Sequence, residues 1–186
     1  MFLLILGLAL FAALHLPKPM ALPQRAALVE KIGDGGVKGV FALGLVLSVV
    51  LMTIGYQSAT FVDVWFPPRF LTGINNLLMI FAIGIFIAGG IPGHVRHWIR
   101  HPQLVGFKLW AVAHLLVNGD LASIILFGGL LAWAVVTLIM INKRDGKGPK
   151  PAPQGLMPNL IHGGVTIVAF LGATAAHNWL GVYPFG

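Results

Sequence analysis

The segment LASIILFGGLLAWAVVTLIMI, residues 121–141, contains 21 residues and no charged side chain. At a helical rise of about 1.5 Å per residue, such a run measures about 30 Å, which is the thickness of the hydrocarbon core of a bilayer. The segment therefore predicts a membrane-spanning helix. It also makes the lipid bilayer the first partner that the sequence implies.

The composition of the whole chain agrees with this segment. Of the 186 residues, 58% are hydrophobic, only 9% are charged, and none is cysteine. Soluble domains usually carry about 25% charged residues, so this composition argues against a water-soluble enzyme. It also excludes a disordered chain, a disulfide scaffold and a zinc–cysteine module. We predict one transmembrane domain over residues 1–186.

Five further apolar segments complete the predicted fold, an all-α polytopic bundle of about six transmembrane helices. They cover residues 2–16, 40–56, 71–91, 104–117 and 160–180. The first segment has neither a basic start nor a small-x-small cleavage site, which favours a retained helix over a cleaved signal peptide. Residues 23–32 alternate apolar and charged positions and predict a helix lying along the membrane interface. Residues 146–155, rich in Pro and Gly, predict a flexible connector.

The fourth segment is too short for a simple span. Residues 104–117 would measure only about 21 Å as a helix, and the turn-forming residues Asn118, Gly119 and Asp120 follow at once. Either this helix begins earlier, with Pro102 in its first turn, or the fourth and fifth helices form a short hairpin whose tip lies inside the bilayer.

The basic residues predict the orientation of the bundle. Eleven of the twelve Lys and Arg residues fall in or beside loops on one side. They are Lys18, Arg25, Lys31, Lys38, Arg96, Arg100, Lys108, Lys143, Arg144, Lys147 and Lys150, whereas Arg69 is alone on the other side. Because cytoplasmic loops carry the excess of Lys and Arg, both termini are predicted on the non-cytoplasmic side of a bacterial inner membrane. The net charge of +7 then reflects topology, and we expect no nucleic-acid partner.

Histidines are the candidates for chemistry, because polar residues inside a membrane are costly and are often functional. On a helix, His114 shares a face with Trp110 and Asn118, each four residues away. This face favours ligation of a metal or cofactor, and a hydrogen bond to a neighbouring helix is the alternative. In the last segment, His162 and His177 lie at the two ends of a face of small residues. We expect His162 to serve packing, and His177 to be an interfacial anchor or a ligand.

The residue types restrict which cofactor these histidines would hold. Cysteine is absent and only five carboxylates are present, which argues against thiolate, di-iron and magnesium sites. Two neutral imidazoles from different helices suit the axial positions of a haem iron. Because no Cys-x-x-Cys-His motif is present, such a haem would be bound non-covalently, as haem b.

The block RHPQLVGFKLWAVAHLLVNGDLAS, residues 100–123, closely resembles the NnrU family of bacterial membrane proteins. Further similarities are His15, Pro92-Gly93 before the basic loop, and the terminal HNWLGV at 177–182, so the resemblance covers essentially the whole chain. The family is associated with nitric-oxide and denitrification gene clusters. A relative of the family, 15-cis-zeta-carotene isomerase, is a b-haem membrane protein that isomerises a carbon–carbon double bond.

The resemblance implies haem ligation by His15 and His114. It also implies redox-linked or isomerase-like chemistry on a hydrophobic, polyene-like small molecule, with a membrane redox partner. By the charge rule, however, His114 lies about 16 Å deeper than the end of the membrane where His15 is expected, so His177 stays an alternative partner of His114. Trp110, Asn118, Arg100 and His101 complete the predicted cofactor-binding set, with Arg100 a candidate for pairing haem propionates.

Two other functions stay open at this point. One is a non-enzymatic membrane sensor or an assembly factor for nitric-oxide reductase. The other follows from a second resemblance, because the Arg-His-Pro block is similar to that of isoprenylcysteine methyltransferases. These enzymes continue with a Glu-bearing segment, and this chain has no Glu after Glu30. Whether the chain is an enzyme, and on which substrate, is not fixed by the sequence.

Overall fold

The computed structural model describes residues 1–15, 22–91, 93–146, 151–152 and 154–185, with the side chains of residues 22–25 left aside. Its elements are helical, which confirms the all-α prediction. The helices are α1 (Phe2–Leu14), α2 (Leu22–Gln57), α3 (Phe70–Ile87), α4 (His94–Trp98), α5 (Pro102–Val117), α6 (Leu121–Asp145) and α7 (Leu156–Trp179). The predicted stop of the first helix at Pro17 and most of the connector at 146–155 lie outside the described residues.

Four helices are long and apolar enough to cross a bilayer, which makes the chain a multi-pass membrane protein. They are α2 from Ala26, α3, α6 and α7. The apolar helices α1 and α5 are shorter, with 13 and 16 residues. Helix α5 begins at Pro102, so the prediction of an earlier start is confirmed. The short helix α4 was not predicted, because a five-residue helix leaves no periodic pattern in a basic loop.

Helix α2 bends sharply at Gly33, where φ is 74° and ψ is 163°. Residues with a side chain rarely adopt this conformation, so a glycine is needed here. The bend separates residues 22–32 from the long apolar part of α2, which confirms the predicted helix at residues 23–32. Its place at the membrane interface stays a prediction.

The helices pack in the order α7, α3, α5, α6, α1 and α2, so that α7 and α2 form the two edges. Small residues occupy the crossing points, as is usual in membranes, where close van der Waals packing takes the place of the hydrophobic effect. Gly106 of α5 lies against the backbone of α3 at Phe86, and Gly7 of α1 lies against that of α2 at Ser48. Of the four long apolar helices described, α7 is the least buried, with only Thr166 buried among its residues.

The two ends of the bundle differ in character. At one end, called here the Asp120 end, the turn between α5 and α6 is bound to the loop before α3. The backbone N–H groups of Val64 and Trp65 donate to Gly119 O at 2.9 and 3.1 Å. The opposite end, called here the Lys143 end, carries Arg100, Lys143 and Arg144, and Arg100 donates to the carbonyl of Asp145 at 3.3 Å.

Asp120 caps helix α6 at the Asp120 end, because its Oδ1 accepts a hydrogen bond from Ser123 N at 2.9 Å. We expect Asp120→Ala to lower the free energy of unfolding by about 1 kcal/mol, the usual contribution of an N-cap. Thermal unfolding in detergent, followed by circular dichroism, measures this loss. Asp120→Asn is the control, since Asn caps helices as well as Asp does. Equal losses in both variants would show that the carboxylate charge, not the cap, stabilises this end.

Candidate functional site

A continuous series of ring contacts, called here the ring ladder, runs through the bundle between α1, α6 and α5. Neighbouring ring centroids lie 4.1 to 5.4 Å apart. In order, the ladder contains His15, Phe11, Trp133, Phe107, Trp110, Phe127 and His114. On α5 its members are spaced by three and four residues, so they share one face of that helix. The ladder therefore contains His15, Trp110 and His114 of the predicted site.

His15 and His114 lie at the two ends of the ring ladder. The ring of His15 contacts that of Trp133 at 5.0 Å, and Trp133 in turn contacts Phe107 at 5.4 Å. Phe107 precedes His114 by seven residues, or about 10 Å along the axis of α5. The structure thus joins the two predicted ligands through aromatic side chains but sets them at different levels. Their joint ligation of one iron stays a prediction.

Three histidines share one arrangement that prepares the imidazole for ligation. His15 Nδ1 is 2.9 Å from Phe11 O, His114 Nδ1 is 3.0 Å from Trp110 O, and His177 Nδ1 is 2.7 Å from Ala173 O. A carbonyl can only accept, so each Nδ1 carries the proton and donates it to the preceding turn. Nε2 is then the atom with the lone pair, which is how metal-binding histidines are oriented by a backbone carbonyl.

His177 and His114 lie at the same end of the bundle, although the two residues are 63 positions apart in the chain. Both histidines are in the last turn of their helices, α5 and α7, at the Asp120 end. Helix α3 packs between these two helices. The pairing of His177 with His114 as ligands of one iron stays a prediction.

Two of the other predicted residues surround His114 directly. Its ring lies 4.9 Å from that of Trp110 and 4.5 Å from that of the buried Phe127, so aromatic groups cover the imidazole. Asn118 Nδ2 donates to His114 O at 2.8 Å and ends helix α5. Asn118 thus fixes the end of the helix that carries His114.

Arg100 and His101 are not brought together with His114. His101 precedes it by 13 residues, about 20 Å along α5. Both contact the end of α6 instead: His101 Nε2 is 3.2 Å from Asn142 Oδ1, and Arg100 donates to Asp145 O. They tie the start of α5 to the end of α6, and any contact with a cofactor would be at the Lys143 end.

The sequence missed a polar junction between α4 and α7. The backbone N–H of His94 donates to Asn159 Oδ1 at 2.8 Å, and the ring of His94 is hydrogen-bonded to Asn159 Nδ2. One turn further along α7, His162 Nε2 donates to Gly84 O of α3 at 2.8 Å, in agreement with its predicted packing role. The spacing of Asn159 and His162 on one face of α7 was the available signal.

Within the described ranges, no group of three or more His, Cys, Asp or Glu side chains could hold a metal ion. An ion bound by one or two of these histidines would need further ligands from a cofactor, as a porphyrin supplies four nitrogens to iron. A cavity of about 230 Å³ does lie at the Asp120 end, beside Tyr56, Thr60 and Asp120. It is smaller than the usual small-molecule pocket of about 300–1,000 Å³.

Comparison with known proteins gives one result that covers the chain. The family model described as NnrU protein matches residues 3–184. The match includes both ends of the ring ladder and His177. The comparisons with curated proteins and with solved structures returned no match.

Proposed function

Because the chain belongs to the NnrU family, we propose that it is a membrane protein that binds haem b through His114 and acts on a hydrophobic small molecule. His177 or His15 would supply the second histidine ligand. The chemistry is redox-linked or isomerase-like, and the resemblance to the family associates it with nitric oxide and denitrification.

The observation that carries this proposal is the state of His114. Its Nδ1–H is bound to the carbonyl of Trp110, so the neutral imidazole presents Nε2 as a ligand atom. The same arrangement recurs at His177 and His15. Among the described residues no cluster could hold a bare metal ion, so a donor set of one or two imidazoles suits a macrocycle that brings its own ligands.

The side chains around His114 perform three tasks in this proposal. Trp110 and Phe127 pack against its ring and exclude water from it. Trp110 O holds the proton on Nδ1, which fixes the tautomer. Asn118 binds the carbonyl of His114 and keeps the end of α5 in place. Bound haem would supply one-electron redox chemistry at iron, and exclusion of water would favour an apolar substrate.

The test is the visible spectrum of protein purified from haem-replete cells. We expect a Soret band, identified as haem b by its pyridine haemochrome, and at least a tenfold smaller band in His114→Ala. His97→Ala is the matched control, because His97 lies at the Lys143 end with its Nδ1 beside Pro151 O. A missing band in the wild-type protein, or an unchanged band in His114→Ala, overturns the proposal.

The same spectra identify the second ligand. We compare His177→Ala with His15→Ala. The variant in which a six-coordinate spectrum becomes five-coordinate is the one that has lost the second ligand. Because His177 lies at the same end of the bundle as His114, whereas His15 is about 10 Å away in level, we expect this change in His177→Ala. A change in His15→Ala alone would show that His15, at the other end of the ring ladder, is the second ligand. Conversion of a test polyene would then separate an enzyme from a haem-binding sensor or assembly factor.

A further inference from the structure

Asn75 of α3 carries a buried oxygen without a partner. The residue is 9% exposed, and its Oδ1 has no hydrogen-bond partner in the part of the chain that the structure describes. Leaving a buried acceptor unpaired costs about 1–3 kcal/mol, and inside a membrane no bulk water is at hand to satisfy it. Such a group needs a hydrogen-bond donor that the described residues do not supply.

A relay of hydrogen bonds fixes Asn75 Oδ1 as an acceptor. Pro184 O accepts from Asn76 Nδ2 at 3.0 Å, and Asn76 Oδ1 accepts from Asn75 Nδ2 at 3.1 Å. A backbone carbonyl cannot donate, so Asn76 must present its NH₂ group to Pro184 and its oxygen to Asn75. Asn75 must then use its own NH₂ group toward Asn76. Its oxygen is left for another group.

The packing of the helices places this oxygen near the level of His114. Gly106 of α5 lies against Ala82 and Phe86 of the antiparallel α3. Asn75 lies two helical turns before Ala82 in α3, and Ala113, the neighbour of His114, lies two turns after Gly106 in α5. Because the two helices are antiparallel, both steps lead toward the same end of the bundle. Both Asn75 and Ala113 are buried. The acceptor is therefore on the stripe of α3 that faces α5, at about the level of His114.

The same count of helical turns places the end of α7 near this level. Thr166 of α7 lies against Gly84 of α3. His177 lies three helical turns after Thr166 in α7. Gly73 lies three turns before Gly84 in α3 and is half a turn from Asn75. Asn75, His114 and His177 thus lie within about one turn of each other in level, on three helices that pack side by side in the order α5, α3 and α7.

We propose that Asn75 Oδ1 accepts a hydrogen bond from a hydroxyl group of an otherwise apolar ligand, so that the ligand is a hydroxyl-bearing lipid-soluble molecule such as a hydroquinone. A pure hydrocarbon polyene has no donor for this oxygen, and a quinone or ketone offers only acceptors. The surrounding helices are apolar and α7 is loosely packed, so the ligand enters from the bilayer. This inference deepens the proposed function, since it names the substrate class at His114.

The test compares ligands that differ only in the hydroxyl groups. A short-chain benzohydroquinone, its dimethyl ether and the corresponding quinone are titrated by calorimetry into the protein in lipid nanodiscs, with empty nanodiscs subtracted. We expect the hydroquinone to bind at least tenfold more tightly than the other two. Equal binding of the three, or binding of none, overturns the inference and leaves a bound water as the partner of Asn75.

Two variants connect this selectivity with Asn75. Asn75→Leu keeps the volume and removes the acceptor, so we expect the three ligands to bind equally. Asn178→Leu changes an exposed amide at the same end of the bundle and should keep the tenfold preference. Persistence of the preference in Asn75→Leu overturns the assignment. The titration needs no haem, so a missing Soret band with selective hydroquinone binding would refute the haem proposal alone.

Discussion

Gly106→Ala is expected to lower the free energy of unfolding by at least about 2 kcal/mol, within the range for overpacked interiors. A Cβ at this position would lie 2.5 Å from Phe86 N and 2.6 Å from Ala82 O. Both atoms belong to the backbone of α3, so no side-chain rotation relieves the clash. The two helices must therefore move apart along their interface. Thermal unfolding in detergent, followed by circular dichroism, measures the loss.

Gly128→Ala is the matched control for this prediction. It lies in α6, and a Cβ there would meet no atom within 4 Å. Because Ala is the better helix former by about 0.5–1 kcal/mol, this variant should be as stable as the wild type or slightly more stable. Opposite signs in the two variants are the expected result. A Gly106→Ala protein as stable as Gly128→Ala would contradict the close approach of α3 and α5.

Gly119→Ala is expected to open the Asp120 end of the bundle. A Cβ at Gly119 would fall far inside van der Waals contact with the carbonyl oxygen of Trp65. Relief requires the 62–67 segment to move away. That movement breaks the hydrogen bonds from Val64 N and Trp65 N to Gly119 O and from Leu121 N to Val62 O. At about 1 kcal/mol for each bond, the loss is about 3 kcal/mol.

The measurement for Gly119→Ala combines thermal unfolding with limited proteolysis of the 58–69 loop, which should be cut faster in the variant. Gly73→Ala is the control, because Gly73 is near the same end, in α3, and a Cβ there meets no atom within 4 Å. Equal protease resistance of the two variants would show that the loop is not held by the turn at Gly119. Loss in Gly119→Ala of the Soret band proposed above for the wild-type protein would further show that this end supports His114.

Most of the fold could be predicted because a bilayer imposes simple rules. Each of the six predicted segments corresponds to a helix, since apolar runs in lipid have no other way to satisfy their backbone hydrogen bonds. The helix boundaries were less predictable. Helix α3 ends at Ile87, before the predicted end at residue 91, and α2 continues through the predicted interfacial segment to bend at Gly33. Composition does not reveal where such a bend falls.

The site was predictable only as a set of residue types. The spacing of Trp110, His114 and Asn118 indicated a shared face, and the structure has those three in contact. Arg100 and His101 belong to the same block of sequence, residues 100–123, but lie at the opposite end of α5. Asn75 was missed altogether. An Asn in an apolar helix carries no sign of whether its oxygen will be paired, because the pairing depends on Asn76 and on a carbonyl 109 residues further along.

The sequence by itself determined that lipid surrounds the chain, that its apolar segments are helices, and that few of its residue types can bind a metal. The uncharged run at residues 121–141 requires a helix in lipid, and the absence of cysteine with only five carboxylates leaves histidine as the main candidate ligand. The tertiary structure alone decided which groups meet. It set His15 and His114 at opposite ends of the ring ladder, brought His177 to the same end of the bundle as His114, and left one amide oxygen of Asn75 without a partner among the described residues. Such neighbours follow from glycine-mediated helix crossings, whose register depends on sub-ångström packing that no local pattern encodes.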